Sequence, residues 1–304
     1  MLLINMNSFG KIGSAPSNTM RPSIDVIIPL YNGAAFIATA IESVIAQTYS
    51  PTHIIIINDG STDKGPEIAT SYQTKTSIPL VIINQENKGL SAARNTGINT
   101  ATSEYIAFLD ADDVWIPEKL QKQIGVFNKS DISNLGLVYC LYNIINAQGQ
   151  IDPHGFVVPL DTSIRGAVFS KLLKGNKILS SGSGVLIKRT VFETVGQFNE
   201  TLRFGEDWDM WLRIAEQYGV DYSDTVLVHI RRHGQNMTTS KKRVFQGEIA
   251  FYRVWLRYMI NHNRRVPLRW KLKIIYKILT LFPPVSLIKQ ALPVLFVPRN
   301  TFGK

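Results

Sequence analysis

The chain has 304 residues, 45% of them hydrophobic, and one cysteine, Cys140; it is long enough for a packed core, and an internal disulfide framework is excluded, which points to a reducing, cytoplasmic setting. The formal net charge of +10 is uneven: residues 1–230 hold 17 Lys and Arg against 22 Asp and Glu, and residues 231–304 hold 16 against Glu248 alone. A chain-wide nucleic-acid-binding surface is therefore excluded.

Residues 1–23 read as a disordered leader, with Asn, Ser, Gly and Pro around a short apolar run and no signal-peptide flanks; Met20 is an alternative start. From Ile24 onward, β-branched runs alternate with helical patterns, the mark of βαβ units and a mainly parallel sheet. Asp25–Pro29 reads as a first strand, and Phe36, Ile37, Ala40, Ile41, Val44 and Ile45 recur at helical spacing after it. His53–Asn58 is continuously apolar enough to be buried on both faces. Leu80–Asn84 forms a third strand leading into Gly89 and a small-residue helix through Ala92, Ala93 and Ile98, and Tyr105–Leu109 forms a fourth that ends in acids. Polar residues gather at the carboxyl ends of these strands, where open α/β sheets bind ligands. Residues 117–235 mix helix, loop and strand without a repeat. From Lys241 the chain reads as helical, with Phe245, Ile249, Tyr252, Trp255, Leu256 and Met259 on one face.

Several motifs carry chemistry. Asp110, Asp112 and Asp113 crowd one strand end, a costly arrangement without a cation and one whose hard oxygen ligands suit Mg²⁺ or Mn²⁺. The same acids are also good helix-start residues, which would make the cluster a capping turn. In Asn58–Asp63, Gly60 permits a tight turn, and Asp59 either accepts a hydrogen bond from a nucleotide base or closes an ordinary strand-to-helix turn. Glu206 and Asp207 suit a helix N-terminus, where acids complement the backbone dipole. Arg231 and His233 suit a diphosphate.

Taken in order, Ile27–Asn32, Asn58–Asp63, Asn87–Asn95 and Asp110–Asp113 resemble glycosyltransferase family 2, and Gly182–Gly184, Val195–Glu200, Gly205–Arg213 and the segment around Arg231 and His233 extend the resemblance to residue 237. It implies a GT-A fold and an inverting transfer of a sugar from a nucleotide-sugar donor, a UDP-sugar by preference. By the same resemblance, Pro29, Tyr31, Asn32, Asp59, Lys88, Arg94, Asp110, Ala111, Asp112, Arg231 and His233 line the donor site. Asp59 reads the base, Asp110, Asp112 and His233 hold Mg²⁺ or Mn²⁺, and Asp207 acts as base with Glu206 assisting. Asn58 departs from the pattern, since many members carry two acids where this chain has Asn58 and Asp59.

The expected organisation is a catalytic domain at 24–237, with a donor half at 24–115 and an acceptor half at 116–237, followed by a basic helical region at 238–304. Its basic and apolar residues interleave between 264 and 299 without an uninterrupted span of about 18 apolar residues. That pattern points to a segment lying on the anionic inner face of the cell membrane, beside a lipid-linked or saccharide acceptor. The alternative is a helix packed on the catalytic domain or on a second subunit. Two other functions compete: a sugar nucleotidyltransferase, which Tyr31-Asn32-Gly33 does not favour because it is no phosphate loop, and a non-catalytic binder on the same fold, which the presence of Asp112 and Asp207 does not favour.

Overall fold

The computed structural model describes residues 21–152, 161–178, 180–234 and 236, together with positions 249, 252, 255, 256, 258 and 259. The expected leader up to residue 20 and the basic segment 264–299 lie outside the described residues.

The first half follows the βαβ expectation. Strands β1 (Ile24–Leu30), β2 (His53–Asp59), β3 (Leu80–Gln85) and β4 (Tyr105–Phe108) are separated by helices α1 (Ile37–Ile45), α2 (Gly65–Thr70) and α3 (Leu90–Thr100). They lie side by side in the order β3-β2-β1-β4, all parallel. The residues of β1 are buried throughout, with Val26, Ile28 and Leu30 in one core cluster and Ile27 in the other. A strand covered on both faces has no solvated side, which is why β1 and β2 read as apolar runs and not as alternating patterns.

After β4 the sheet becomes mixed. The short β5 (Val114–Trp115) and helix α4 (Lys119–Lys129) precede the long β6 (Leu135–Ile145). Then come α5 (Phe169–Leu172), a 3₁₀ turn at Gly182–Gly184, β7 (Leu186–Lys188), α6 (Arg189–Val195), α7 (Glu206–Gln217) and β8 (Gly219–Arg231). The sheet continues β4-β7-β6-β8-β5, with β7 antiparallel to both β4 and β6, β6 parallel to β8, and β5 antiparallel to β8.

One local expectation is corrected. The acids at 110–113 do not start a helix: Val114 and Trp115 pair with His229 and Val228 in β8, and α4 begins only at Lys119, with Glu118 at its N-cap and no side-chain cap. The capping reading fails because a strand partner more than a hundred residues away claims the backbone that a helix would have used.

Pro29 marks the place where the crevice opens. Pairing between β1 and β4 ends at Ile27 and Phe108, and the Leu109 N–H donates to the Ile27 carbonyl as the last bond on that side. Two residues on, Pro29 faces the same neighbour without an N–H, so the ladder cannot continue. The acids that follow Leu109 are thus free of the sheet where β1 and β4 end.

Three residues of the C-terminal region are placed in the body of the molecule. Tyr252, Trp255 and Met259 are buried in the same core cluster as Trp211 and Leu172, and the Trp255 indole N–H donates to the Leu173 carbonyl at 2.9 Å. Their spacing of three and four residues is that of one helix face, and it packs into the core cluster that holds Trp211 and Leu172.

Candidate active site

The carboxyl ends of β1 and β2 are tied together by side chains. Asn32, in the left-handed region at φ 50, accepts from the Thr62 N–H and hydroxyl through Oδ1, and its own N–H donates to the Ser61 hydroxyl. Asp63 accepts from the N–H groups of Ala34 and Gly65. Tyr31 beside them is 56% exposed, its ring standing in solvent at the rim.

Asp59 is buried, and its carboxylate accepts from Gln85 Nε2 at 2.7 Å, the Lys88 N–H at 2.9 Å and the Gly89 N–H at 2.8 Å. A carboxylate has about four acceptor positions, so Asp59 organises the Gly-rich turn and keeps one position for a further donor. Lys88 contributes its backbone there while its side chain is exposed. The backbone favours glycine at Gly89, whose φ of +91 lies where side chains are strained.

The acids after β4 are divided in their roles. Asp113 is buried, accepting from the Ser183 hydroxyl at 2.6 Å and from the Arg231 N–H at 2.9 Å. Burial, then the charges of Asp112 and Asp110, push its carboxyl well up. Asp112 Oδ2 lies 2.9 Å from His233 Nε2 and 3.0 Å from Asn236 Nδ2, and its carboxyl is also pushed up, by burial and by the Asp110 charge, against the pull of His233. Asp110 reaches the other way: Oδ1 accepts from Arg94 at 2.9 Å and Oδ2 from the Ser181 hydroxyl at 3.0 Å. Ala111 between them packs beside the core.

Arg94 joins this cluster to the start of α7. Its guanidinium is fully buried, with Nη1 2.7 Å from Asp207 Oδ1 and 3.4 Å from Glu206 Oε1, and Nη2 on Asp110. It stands 5.2 Å from the centroid of the Phe198 ring, and its Nε has no hydrogen-bond partner among the described residues. Burial opposes the charge, but Asp207, Asp110 and Glu206 outweigh it and raise the pKa. Gly182 makes the approach possible, because a Cβ there would lie 2.8 Å from Arg94 Nη2.

Glu206 and Asp207 open α7, whose N-cap Gly205 is left-handed at φ 75. Burial, then the charge of Asp207, push the Glu206 carboxyl up to about 7, against Arg94. Asp207 is likewise raised, by burial above all, with Arg94 and the Gly182 N–H pulling it back down. Further along the helix, Trp211 is fully buried, and the Trp208 indole N–H donates to the Leu172 carbonyl, so both rings serve packing.

Arg231 sits differently from the phosphate-facing expectation. Its guanidinium donates to the backbone carbonyls of Asp112, Asn146 and Ala147, and it lies 5.0 Å from the Phe36 ring centroid. It clamps the acidic loop to the end of β6. His233 also stacks on Phe36, at 4.6 Å between centroids. Among the described residues, no group of three or more His, Cys, Asp and Glu stands ready-made around a metal position. Asp110 and Asp112 nevertheless offer oxygen ligands from one strand end, the donor set that Mg²⁺ and Mn²⁺ take while keeping waters and substrate oxygens.

Two residues of this constellation have roles that the motifs do not assign, Ser183 inside the Gly182–Gly184 motif and Ser181 just before it. Ser181 and Ser183 bind Asp110, Asp113 and the Asp110 N–H from a turn more than sixty residues downstream. Ser181 holds φ 56 and ψ −172, a conformation close to glycine-only that costs of order 1–3 kcal/mol for other residues. The only signal in the sequence is the glycine-serine alternation at 182–184.

Glycosyl transferase family 2 is the family whose model matches, over residues 25–196. An uncharacterized glycosyltransferase of Rickettsia typhi is 34% identical over 225 residues, covering 73% of this chain and 68% of that protein. Among solved structures, S. aureus TarS 1-349 in complex with UDP-GlcNAc superposes with a TM-score of 0.62 at 16% identity, over 90% of this chain and 78% of TarS 1-349. The mannosyltransferase PcManGT from Pyrobaculum calidifontis, in complex with GDP-Man and Mn²⁺, gives 0.60 at 21% identity, over 86% of this chain and 70% of PcManGT. At these identities the structural likeness establishes the fold.

Proposed function

The chain belongs to glycosyltransferase family 2, and from that premise we propose that it is an inverting, metal-dependent transferase that moves one sugar from a nucleotide-sugar donor, a UDP-sugar by preference, to a lipid-linked or saccharide acceptor of the cell envelope. The observation that carries this reading is the position of Arg94, whose two terminal nitrogens hold Asp110 and Asp207 at 2.9 and 2.7 Å. One buried guanidinium thereby fixes the distance between a donor-site acid and a base. The base of the donor lies against the Asp59 turn and its diphosphate against Asp110 and Asp112. A divalent ion held by Asp110, Asp112 and His233 would neutralise charge on the departing diphosphate.

In the transfer, an acceptor hydroxyl oxygen forms a bond to the anomeric carbon as the bond from that carbon to the diphosphate oxygen breaks. The electron pair leaves with the nucleoside diphosphate, and the hydroxyl proton goes to Asp207. Burial raises the proton affinity of Asp207 and the Arg94 charge opposes that rise; a raised proton affinity suits a general base. Glu206, on the same first turn of α7, orients the acceptor beside it. The charge of residues 231–304, 16 cations against one acid, supports an acceptor held at an anionic membrane. Among the described residues no helix is long and apolar enough to cross a membrane.

Calorimetric titration with UDP and with GDP, each with Mn²⁺, together with turnover of a nucleotide-sugar panel, tests this reading. Asp112→Ala should abolish the Mn²⁺-dependent part of nucleotide binding. Asp207→Asn should keep nucleotide binding and lose about 10²-fold or more in transfer. Equal metal-dependent binding in Asp112→Ala would remove the metal site, and unchanged turnover in Asp207→Asn would remove the base.

A further inference from the structure

Ser181 is out of place by its backbone. At φ 56 and ψ −172 it occupies a region in which glycine is at ease and a Cβ is crowded, directly before Gly182. Its neighbour Gly182 lets Arg94 approach, since a Cβ there would lie 2.8 Å from Arg94 Nη2. What the side chain does is donate its hydroxyl to Asp110 Oδ2 at 3.0 Å, while Arg94 takes Oδ1 and the Asp110 N–H donates to the Ser183 hydroxyl. Asp110 is thereby held at three points, two of them from one turn. A carboxylate gripped on both oxygens cannot rotate, and its remaining lone pairs keep one direction.

We propose that Ser181 is a positioning residue for donor binding: its hydroxyl, held by a backbone conformation that only glycine adopts freely, orients Asp110 towards a nucleoside diphosphate and its divalent cation. The proposal rests on the donor-site reading above. A strained residue that persists because it performs a task has a specific signature, since relieving the strain makes the protein more stable and less able to bind.

The test uses the full chain as wild type, Ser181→Gly and Ser181→Ala, titrated with UDP and with GDP in the presence and absence of Mn²⁺, alongside thermal melts of the free proteins. Ser181→Gly is expected to melt at least about 2 °C higher than Ser181→Ala, which loses the same hydrogen bond but keeps the strained Cβ. Both variants are expected to bind the nucleotide with Mn²⁺ about 10-fold more weakly, the consequence of losing a hydrogen bond to a charged group. Binding without Mn²⁺ should change little. Nucleotide affinity in Ser181→Gly equal to wild type overturns the proposal, as does a weakening that is the same with and without Mn²⁺, which would mark general damage to the turn. A wild type that binds neither nucleotide overturns the donor site itself, and this inference with it.

Discussion

Arg94 brings a full positive charge to a place without water, and three carboxylates meet it there. Removing one partner of such a buried group leaves the others uncompensated, at a cost of about 3–5 kcal/mol. Arg94→Met should therefore lower the denaturant midpoint strongly at pH 8 and less at pH 5, where the orphaned acids can take up protons. The wild type has the same sign in weaker form. Glu206 holds its proton up to about 7 in the folded protein, against 4.5 for an ordinary glutamate carboxyl. Its contribution to stability is present below about 4.5 and lost as the pH rises through about 7. An Arg94→Met penalty that is independent of pH would mean that the three acids are not coupled to it. Most of these residues were legible in the sequence, because acids at strand ends and helix starts stand out by position. Ser181 was not, because its role comes from φ and from a contact across the sheet.

Elements were legible where local pattern and tertiary demand agree. β1 to β4 and α1 and α3 follow the apolar runs and helical spacings closely: β1, β2 and β4 are buried nearly throughout, while β3 at the sheet edge is buried only at Leu80. At residues 110–115 local pattern and tertiary demand part: the acids were compatible with a helix start as well as with a cation site, and pairing of Val114 and Trp115 with β8 removes the helix start. Packing between elements has its own constraint at Gly97 in α3, where a Cβ would fall 2.4 Å from Ile27 Cγ2 in β1. Gly97→Ala should destabilise, because overpacking costs about 1–3 kcal/mol and alanine's better helix propensity returns at most about 1. Gly125→Ala in α4, where a Cβ meets nothing within 4 Å, should stabilise by up to about 1 kcal/mol. Equal shifts in the two variants, read by chemical denaturation, would contradict this account of α3 against β1.

At the scale of the molecule, the C-terminal region has two components that composition alone merges. Tyr252, Trp255 and Met259 belong to the core, Trp255 being 1% exposed, while the basic surplus continues beyond them. Trp255→Ala should cost about 3–5 kcal/mol in unfolding free energy, a loss in the catalytic domain from a change outside its motifs. A melting curve identical to wild type would detach this helix from the core. The spacing at 245–259 was legible as an apolar face; what covers it was not, because a helix face meant for a membrane and one meant for a core carry the same residues.

The pairing of β7 with β4 on one side and β6 on the other makes one continuous sheet of residues 24–115 and the strands that follow them. Between them runs an unbroken backbone lattice and not a linker. A hybrid that joins the first 115 residues of this chain to the remainder of a relative would therefore have to rebuild a sheet seam strand by strand. On the proposed function, exchanging side chains around Asp59 and Asp110 disturbs this seam less than exchanging halves.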